Sequence, residues 1–366
     1  MKYGKKDVYP VKRKRNWVVI PVLVLVLLIG SFLLLFTSLQ KYIVYGQGRL
    51  QVVLPFMEEE AVVNNETIDT YRPAVNASLV LDGYDYSAVR TDAGVGLSTM
   101  KAIYVPATEL TDTGLMNYVN RLEINNANGL VLELKPQSGQ LAYASGVEMA
   151  RAYGLNGSFD LAGQVSALKE RDIYLVADLA CCVDDLLASR NTNLALKTQT
   201  GEVYRSEAGT WLDPYSPDVR AYLSDLCLEL ADMGFDEVLL TYAAHPEATD
   251  LMYSQEMTTP PDAVSTVSSF AIAMEKAVGD SIKLSLRCSA DALRNGVGVN
   301  GQDMDLMFRV FDRVYCASER ASIENDRALA LSYMEEEVRF ADRFVPIAYT
   351  ALGDNSWLLL TWKTEE

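Results

Sequence analysis

The chain has 366 residues, 49% of them hydrophobic and 22% charged, and a formal net charge of −17. That acidity repels phosphate backbones and anionic wall polymers, so nucleic acid is excluded as a partner and a neutral glycan, a basic partner or a metal-bridged ligand fits better. Five cysteines without regular spacing exclude a disulfide framework, and a single histidine with no CxxC pair argues against a structural zinc, a cofactor-binding metal or any mechanism needing two imidazoles.

Residues 1–16 hold seven Lys/Arg and one acid, and residues 17–39 follow as an apolar run without a charge. Such a run is long enough to cross a hydrocarbon core of about 30 Å as a helix, and its basic flank keeps the N-terminus cytoplasmic. The rival is a cleaved signal peptide, whose apolar region spans about 7–15 residues before a small-x-small site. This run is longer, and Gln40-Lys41-Tyr42 offers no such site. The sequence therefore predicts a cytoplasmic tail (1–16), one transmembrane helix (17–39) and an outward-facing remainder at the cell membrane. Removing the net +6 tail leaves −23. Residues 40–100 read as a stalk or linker, with candidate short strands at Leu50–Leu54 and Ser78–Leu81.

From Lys101 onward, apolar β-type runs alternate with helical patterns. The runs are Ala102–Pro106, Gly129–Leu134, Ile173–Leu179, Glu237–Tyr242, Ile282–Cys288, Arg313–Cys316, Val345–Tyr349 and Trp357–Trp362. Most are continuously apolar, as parallel strands buried on both faces should be. Helices are predicted over Thr113–Leu122, Ser158–Lys169, Pro217–Met233, Ala263–Val278 and Ser322–Phe340. The third is the best punctuated: Ser216-Pro217 supplies a cap and a first-turn proline, and Gly234 a stop. Eight strands with intervening helices over residues 101–366 give the rhythm of an α/β (β/α)8 TIM barrel. An open doubly wound sheet is the alternative, but its Gly-rich phosphate loop is missing. Ala351–Ser356 leaves room for one helical turn at most, so the barrel should close irregularly.

Barrel enzymes place their chemistry at the C-terminal ends of the strands. Glycosidases need two carboxyl groups flanking the scissile bond. The candidates at strand ends are Glu133, Asp178 and Glu319, with Asp213 in the third loop. Asp236 and Glu237 begin the fourth strand, on the opposite face, and are set aside. Each candidate is equally at home as an ion-pair partner in a filled barrel. Candidate ligand contacts are Lys135, Asp213, His245 and Arg287, together with the aromatic Trp211, Tyr215, Tyr242, Tyr349 and Trp362, whose rings suit the CH-rich face of a sugar as well as ordinary packing.

Several segments resemble a bacterial glycoside-hydrolase domain family, a (β/α)8-barrel group: Lys101–Val105, Asn128–Lys135 with Ser138-Gly139, Asn193–Lys197, Gly201–Arg205, Trp211–Tyr215, Gly234–Glu237 and Gly301-Gln302. The resemblance implies a barrel, a surface location and a carbohydrate-directed role. The departures fall on the rim. Where the family ends its fourth strand in Asp-Tyr-Val-Arg-Phe-Pro, this chain has Thr241-Tyr242-Ala243-Ala244-His245-Pro246. The family's third-strand Arg is Asp178, its fifth-strand Asp is Arg287, and an Asp after the second strand is Pro136. The exchanged Asp178 and Arg287 are expected to pair across the mouth. The sequence thus predicts a membrane-anchored barrel that binds or acts on cell-envelope or neutral glycans, with catalysis weakened or lost. The alternative is a non-enzymatic envelope scaffold or protein-interaction domain.

Overall fold

The computed structural model describes residues 43–46, 49–52, 93–254, 260–334 and 340–360. The predicted membrane helix, the candidate strand at 78–81 and Trp362 lie outside the described residues. Among the described residues no helix is long and apolar enough to cross a membrane. The chain divides into two compact units, 1–72 and 73–366. In the first, β1 (Ile43–Gly46) and β2 (Arg49–Val52) form an antiparallel hairpin.

The second unit is a closed barrel of eight parallel strands: β3 (Lys101–Val105), β4 (Gly129–Lys135), β5 (Tyr174–Ala180), β8 (Glu237–Thr241), β9 (Lys283–Cys288), β10 (Arg313–Ala317), β11 (Phe344–Ala348) and β12 (Trp357–Leu359), with β12 pairing back onto β3. A small antiparallel pair, β6 (Arg205–Ser206) and β7 (Gly209–Thr210), sits in the loop after β5. Closure rather than an open sheet removes both edges. All eight strands were predicted to within a few residues. The irregular join is present too: residues 349–356 form no helix, yet β11 and β12 pair through Ile347–Leu358 and Ala348–Leu359.

The helices are α1 (Asp112–Ile124), α2 (Glu148–Ala152), α3 (Leu161–Lys169), α4 (Asp185–Arg190), α5 (Pro217–Met233), α6 (Ala263–Val278), α7 (Ala290–Asn295), α8 (Met304–Val310), α9 (Ile323–Ser332) and α10 (Phe340–Arg343). Ser216 caps α5 by accepting from the Val219 amide, and Gly234 ends it in the left-handed conformation at φ 100°. The expected single helix over 322–340 is corrected: α9 stops at Ser332. Tyr333 turns off to stack on Phe308 at 6.1 Å and to donate its hydroxyl to the Leu293 carbonyl at 3.0 Å. The short helices α2, α4, α7 and α8 are too brief to show a period in sequence.

Strand alternation sorts the core. Leu130, Leu132, Leu175, Leu240 and Leu286 face the helices, whereas Ala102, Val131, Val176, Leu239, Tyr315, Val345 and Leu358 fill the barrel. At the N-terminal end of the barrel lies a wholly buried ion pair, Glu237 with Arg313. Glu237 also accepts from Ser285 Oγ (2.6 Å), Tyr315 OH (2.7 Å) and Tyr174 OH (2.9 Å), while Arg313 donates to the Asp342 and Ser98 carbonyls. A buried pair whose remaining donors and acceptors are satisfied fixes register rather than adding much net stability, but breaking it strands a charge. Glu237→Ala is therefore expected to lower the unfolding free energy of the full-length chain by about 3–5 kcal/mol in urea titration; a loss below about 1 kcal/mol would contradict this role.

Candidate active site

At the opposite end of the barrel, the inward strand-end side chains form one cluster. Glu133 on β4 and Asp178 on β5 are direct register partners on neighbouring strands. Asp178 is only 4% exposed. It accepts from Thr241 Oγ1 on β8 at 2.8 Å and from Tyr104 OH on β3 at 3.0 Å. Glu133 is half-buried and accepts from the Ala107 amide at 2.8 Å, which ties it to the 3-10 turn Ala107–Glu109. Tyr242 follows β8, half-buried and with φ 53°, a left-handed backbone that a tyrosine rarely adopts.

Burial pushes the Asp178 carboxyl up to about 6; the hydroxyls of Thr241 and Tyr104 pull it down, the Glu133 charge raises it, and Arg287 lowers it. Burial and then the Asp178 and Glu133 charges push the Tyr104 phenol far up, so Tyr104 acts only as a neutral hydrogen-bond donor. Asp178 and Arg287 do not pair as expected. The direct partners of Asp178 are two hydroxyls, and the Arg287 guanidinium is exposed, close enough to act on Asp178 but without an ion pair among the described residues.

Several predicted contacts are placed elsewhere. Lys135 is 0% exposed: its ammonium pairs with Asp184 at 2.8 Å and donates to the Ala180 carbonyl at 2.6 Å. The cause is a bulge between Glu133 and Lys135, which sets Lys135 beside Leu179 on the helix-facing side instead of inside the mouth. Asp213 is also fully buried, and its carboxylate accepts from the Tyr215 amide (2.8 Å) and the Ser254 amide (2.6 Å), leaving nothing for a ligand. Trp211 is buried with its indole N–H on Ser206 Oγ at 2.8 Å. Tyr215 is buried edge-on against Tyr253 at 5.5 Å, with the Arg220 guanidinium over its ring at 5.2 Å. These three hold the loop after β5 rather than a sugar. Glu319 is exposed in the loop after β10. Tyr349 is 66% exposed just beyond β11. The cluster thus brings together Glu133, Asp178, Tyr242 and Arg287. It adds Tyr104, which strand alternation from Ala102 would have placed inward.

His245 is buried away from the carboxyl pair. Its Nδ1 lies 2.8 Å from the Pro246 carbonyl and its Nε2 3.1 Å from Tyr253 OH, so Nδ1–H donates and Nε2 accepts. Burial lowers its basicity, so the ring is neutral. It lines a cleft of about 860 Å³ with Tyr253, Pro261 and Asp262 in the loop between β8 and α6, and neither Glu133 nor Asp178 reaches that cleft. The carboxyls that line it, Glu247, Asp250 and Asp262, come from exposed loops rather than strand ends. The five cysteines are free and buried, and burial pushes Cys182 and Cys227 up to about 12, which leaves them as unreactive packing groups. Among the described residues no three His, Cys, Asp or Glu side chains gather as metal ligands.

Residues 102–307, more than half of the chain, match the family described as "Putative glycosyl hydrolase domain". No protein of curated function matches the chain. Similar solved structures include a hypothetical protein from Ruminiclostridium thermocellum, at 25% identity over 50% of this chain and 96% of that one, with a TM-score of 0.45. The spore cortex-lytic enzyme SleL of Bacillus megaterium is similar at 11% identity over 69% of this chain and 51% of that one (TM-score 0.43). An alpha-galactosidase from Lactobacillus brevis is similar at 11% identity over 71% and 37% (TM-score 0.47).

The raised Asp178 has a measurable sign. The folded protein holds this proton to higher pH than the unfolded chain does. Its stabilising contribution is complete below about pH 4 and is lost as pH rises to about 6. Asp178→Asn should therefore gain on the wild type by about 3 kcal/mol between pH 4 and pH 7 in urea titrations. Equal differences at both pH values would contradict a raised Asp178.

Proposed function

The chain belongs to that glycosyl hydrolase domain family, and from this premise we propose that the barrel mouth binds a glycan through Glu133, Asp178, Tyr104 and Tyr242 and cleaves it weakly or not at all. What carries this reading is the placement of the carboxyl groups. Hydrolysis needs one carboxyl to protonate the leaving oxygen and another to act on the anomeric carbon or its attacking water, on either side of the bond. Here Glu133 and Asp178 stand in register on adjacent strands, on one wall of the mouth. The facing wall, on β10 and β11, presents Ala317 and Ile347 at its strand ends. Thr241 occupies the strand-four end, where a hydroxyl can donate or accept but cannot serve as a carboxylate. Such a mouth offers hydrogen bonds to sugar hydroxyls and an aromatic surface in Tyr242.

Hydrolysis is the second reading, and one observation favours it. A carboxyl poised at about 6 beside an ionisable neighbour is suited to general-acid work at neutral pH. On that reading Asp178 protonates the leaving oxygen and Glu133 is its partner, with Glu319 as the remaining candidate. We further propose that residues 17–39 anchor the barrel on the outer side of the cell membrane, supported by their uncharged run and the basic tail before it. The scaffold alternative would use the rim as a protein-binding face and predicts no glycan affinity.

The test is direct binding and reducing-end release by the full-length chain on a panel of cell-envelope and neutral oligosaccharides. The expected outcome is binding that Glu133→Gln and Asp178→Asn weaken about tenfold each, with release no faster than in the Asp178→Asn variant. Release that Asp178→Asn or Glu133→Gln abolishes would establish hydrolysis instead, and a folded chain that binds no glycan would favour the scaffold.

A further inference from the structure

Two features of the mouth are left over once the carboxyl pair has been described. The first is Arg287. Ser285, two residues earlier on β9, points into the barrel and donates to Glu237, so alternation turns Arg287 inward at the C-terminal end. Leu240 and Leu286 are register partners on β8 and β9, so Arg287 stands beside Thr241 and close to Tyr242, and its charge acts on both Asp178 and Tyr242. Its side chain nevertheless has neither hydrogen bond nor ion pair among the described residues. Other cations near this end are engaged: Lys135 by Asp184 and the Ala180 carbonyl, and Arg220 by the Pro214 carbonyl and Ser269 Oγ. The Arg287 backbone, by contrast, is held firmly. Buried Gln302 donates to both the Arg287 and Ala243 carbonyls and accepts from the Ser289 amide at 2.9 Å.

The second feature is Tyr242. Among the described residues the other non-glycine positions with positive φ are Asn126, Asp172 and Asp250, types whose short polar side chains tolerate that conformation. Tyr242 has no such excuse, and a bulky residue in this region is held there by its surroundings and clusters at ligand sites. Its carbonyl accepts from the Cys182 amide at 3.1 Å, which fixes the turn. The ring is left half-buried at the lip next to Arg287.

We propose that Arg287 and Tyr242 form a subsite for an acidic sugar, in which the ring of a uronic-acid residue lies on Tyr242 and its carboxylate is held by the Arg287 guanidinium. This rests on the glycan reading of the mouth and adds the class of ligand. The planar fork of an arginine matches a carboxylate with two parallel hydrogen bonds. The net acidity of the chain predicts a neutral glycan and opposes long polyanions. A single carboxylate seated against Arg287 answers to the local charge instead, since screening confines the distant acids to within about 10 Å. Asp178, which holds its proton to about 6, adds little repulsion on the acid side of neutrality.

The experiment uses the full-length chain and paired probes: short oligogalacturonides and glucuronate-containing tetrasaccharides, each with its carboxyl-reduced, neutral counterpart, in calorimetric titration at pH 5 and about 0.1 M salt. Each acid should bind at least about tenfold more tightly than its reduced partner. Arg287→Gln should erase that preference, Arg287→Lys should restore part of it, and 0.5 M salt should shrink it. Tyr242→Ala should weaken acid and neutral probes together. Neutral probes that bind as well as the acids, or an Arg287→Gln variant that keeps the preference, would overturn the subsite and leave the glycan reading standing. A folded chain that binds neither series would overturn both.

Discussion

A closed barrel leaves no room for bulk water along its inner face, so every polar side chain that points inward must find a partner, hold a proton or reach an open end. The two ends of this barrel meet that constraint in opposite ways. At the N-terminal end, Glu237 and Arg313 are wholly buried and saturated by Ser285, Tyr174, Tyr315 and two carbonyls. At the C-terminal end, Asp178 has two hydroxyl donors and no cation in contact, so burial raises its pKa towards neutrality. The saturated end fixes the fold. The C-terminal end is less saturated: among the described residues Asp178 meets two hydroxyls and Arg287 meets no ion-pair partner.

The segments that carry the family resemblance mostly build the frame around that end. Lys135 pairs with Asp184, whose other oxygen caps α4 through the Leu187 amide. Gly139 sits so close to that carboxylate that a Cβ would lie 1.8 Å from Asp184 Oδ1, and its φ of 80° suits glycine. Asp213 fastens two loops, and Gln302 ties the loops after β8 and β9, with Gly301 pressed against the Ala263 carbonyl. Of the rim positions where the sequence departs from the pattern it resembles, Asp178, Thr241 and Arg287 lie at the mouth, whereas Ala244 is buried in the helix-facing core. Fold and site can vary separately, so the frame by itself does not fix the chemistry at the mouth.

Much of this was legible in the sequence. Continuous apolar runs gave the eight strands, and the short interval between the last two gave the helix-free join. Reading strand ends also found Glu133, Asp178 and Arg287. What failed had physical causes that leave no local mark. The bulge at Leu134 moves Lys135 out of the mouth, although counting from Glu133 by twos points it in. Trp211, Asp213 and Tyr215 resemble ligand contacts by residue type, yet the loop after β5 folds back, engages the Trp211 indole and the Asp213 carboxylate, and buries the Tyr215 ring against Tyr253. Tyr104 was overlooked because a tyrosine at the end of an apolar strand resembles core; its hydroxyl becomes important only when β3 and β5 bring it to Asp178. The expected pairing of Asp178 with Arg287 assumed that exchanged charges seek each other, whereas two nearer hydroxyls reach Asp178 first.

The central claim is that ligand binds at the carboxyl-lined mouth and not in the larger cleft beside His245. A crystal structure of the chain soaked with an oligosaccharide that it binds tests this most directly. The account predicts a sugar ring over Tyr242 with hydroxyls within about 3 Å of Glu133 and Asp178. A sugar seated instead between His245, Tyr253 and Pro261, with the mouth empty, would contradict it.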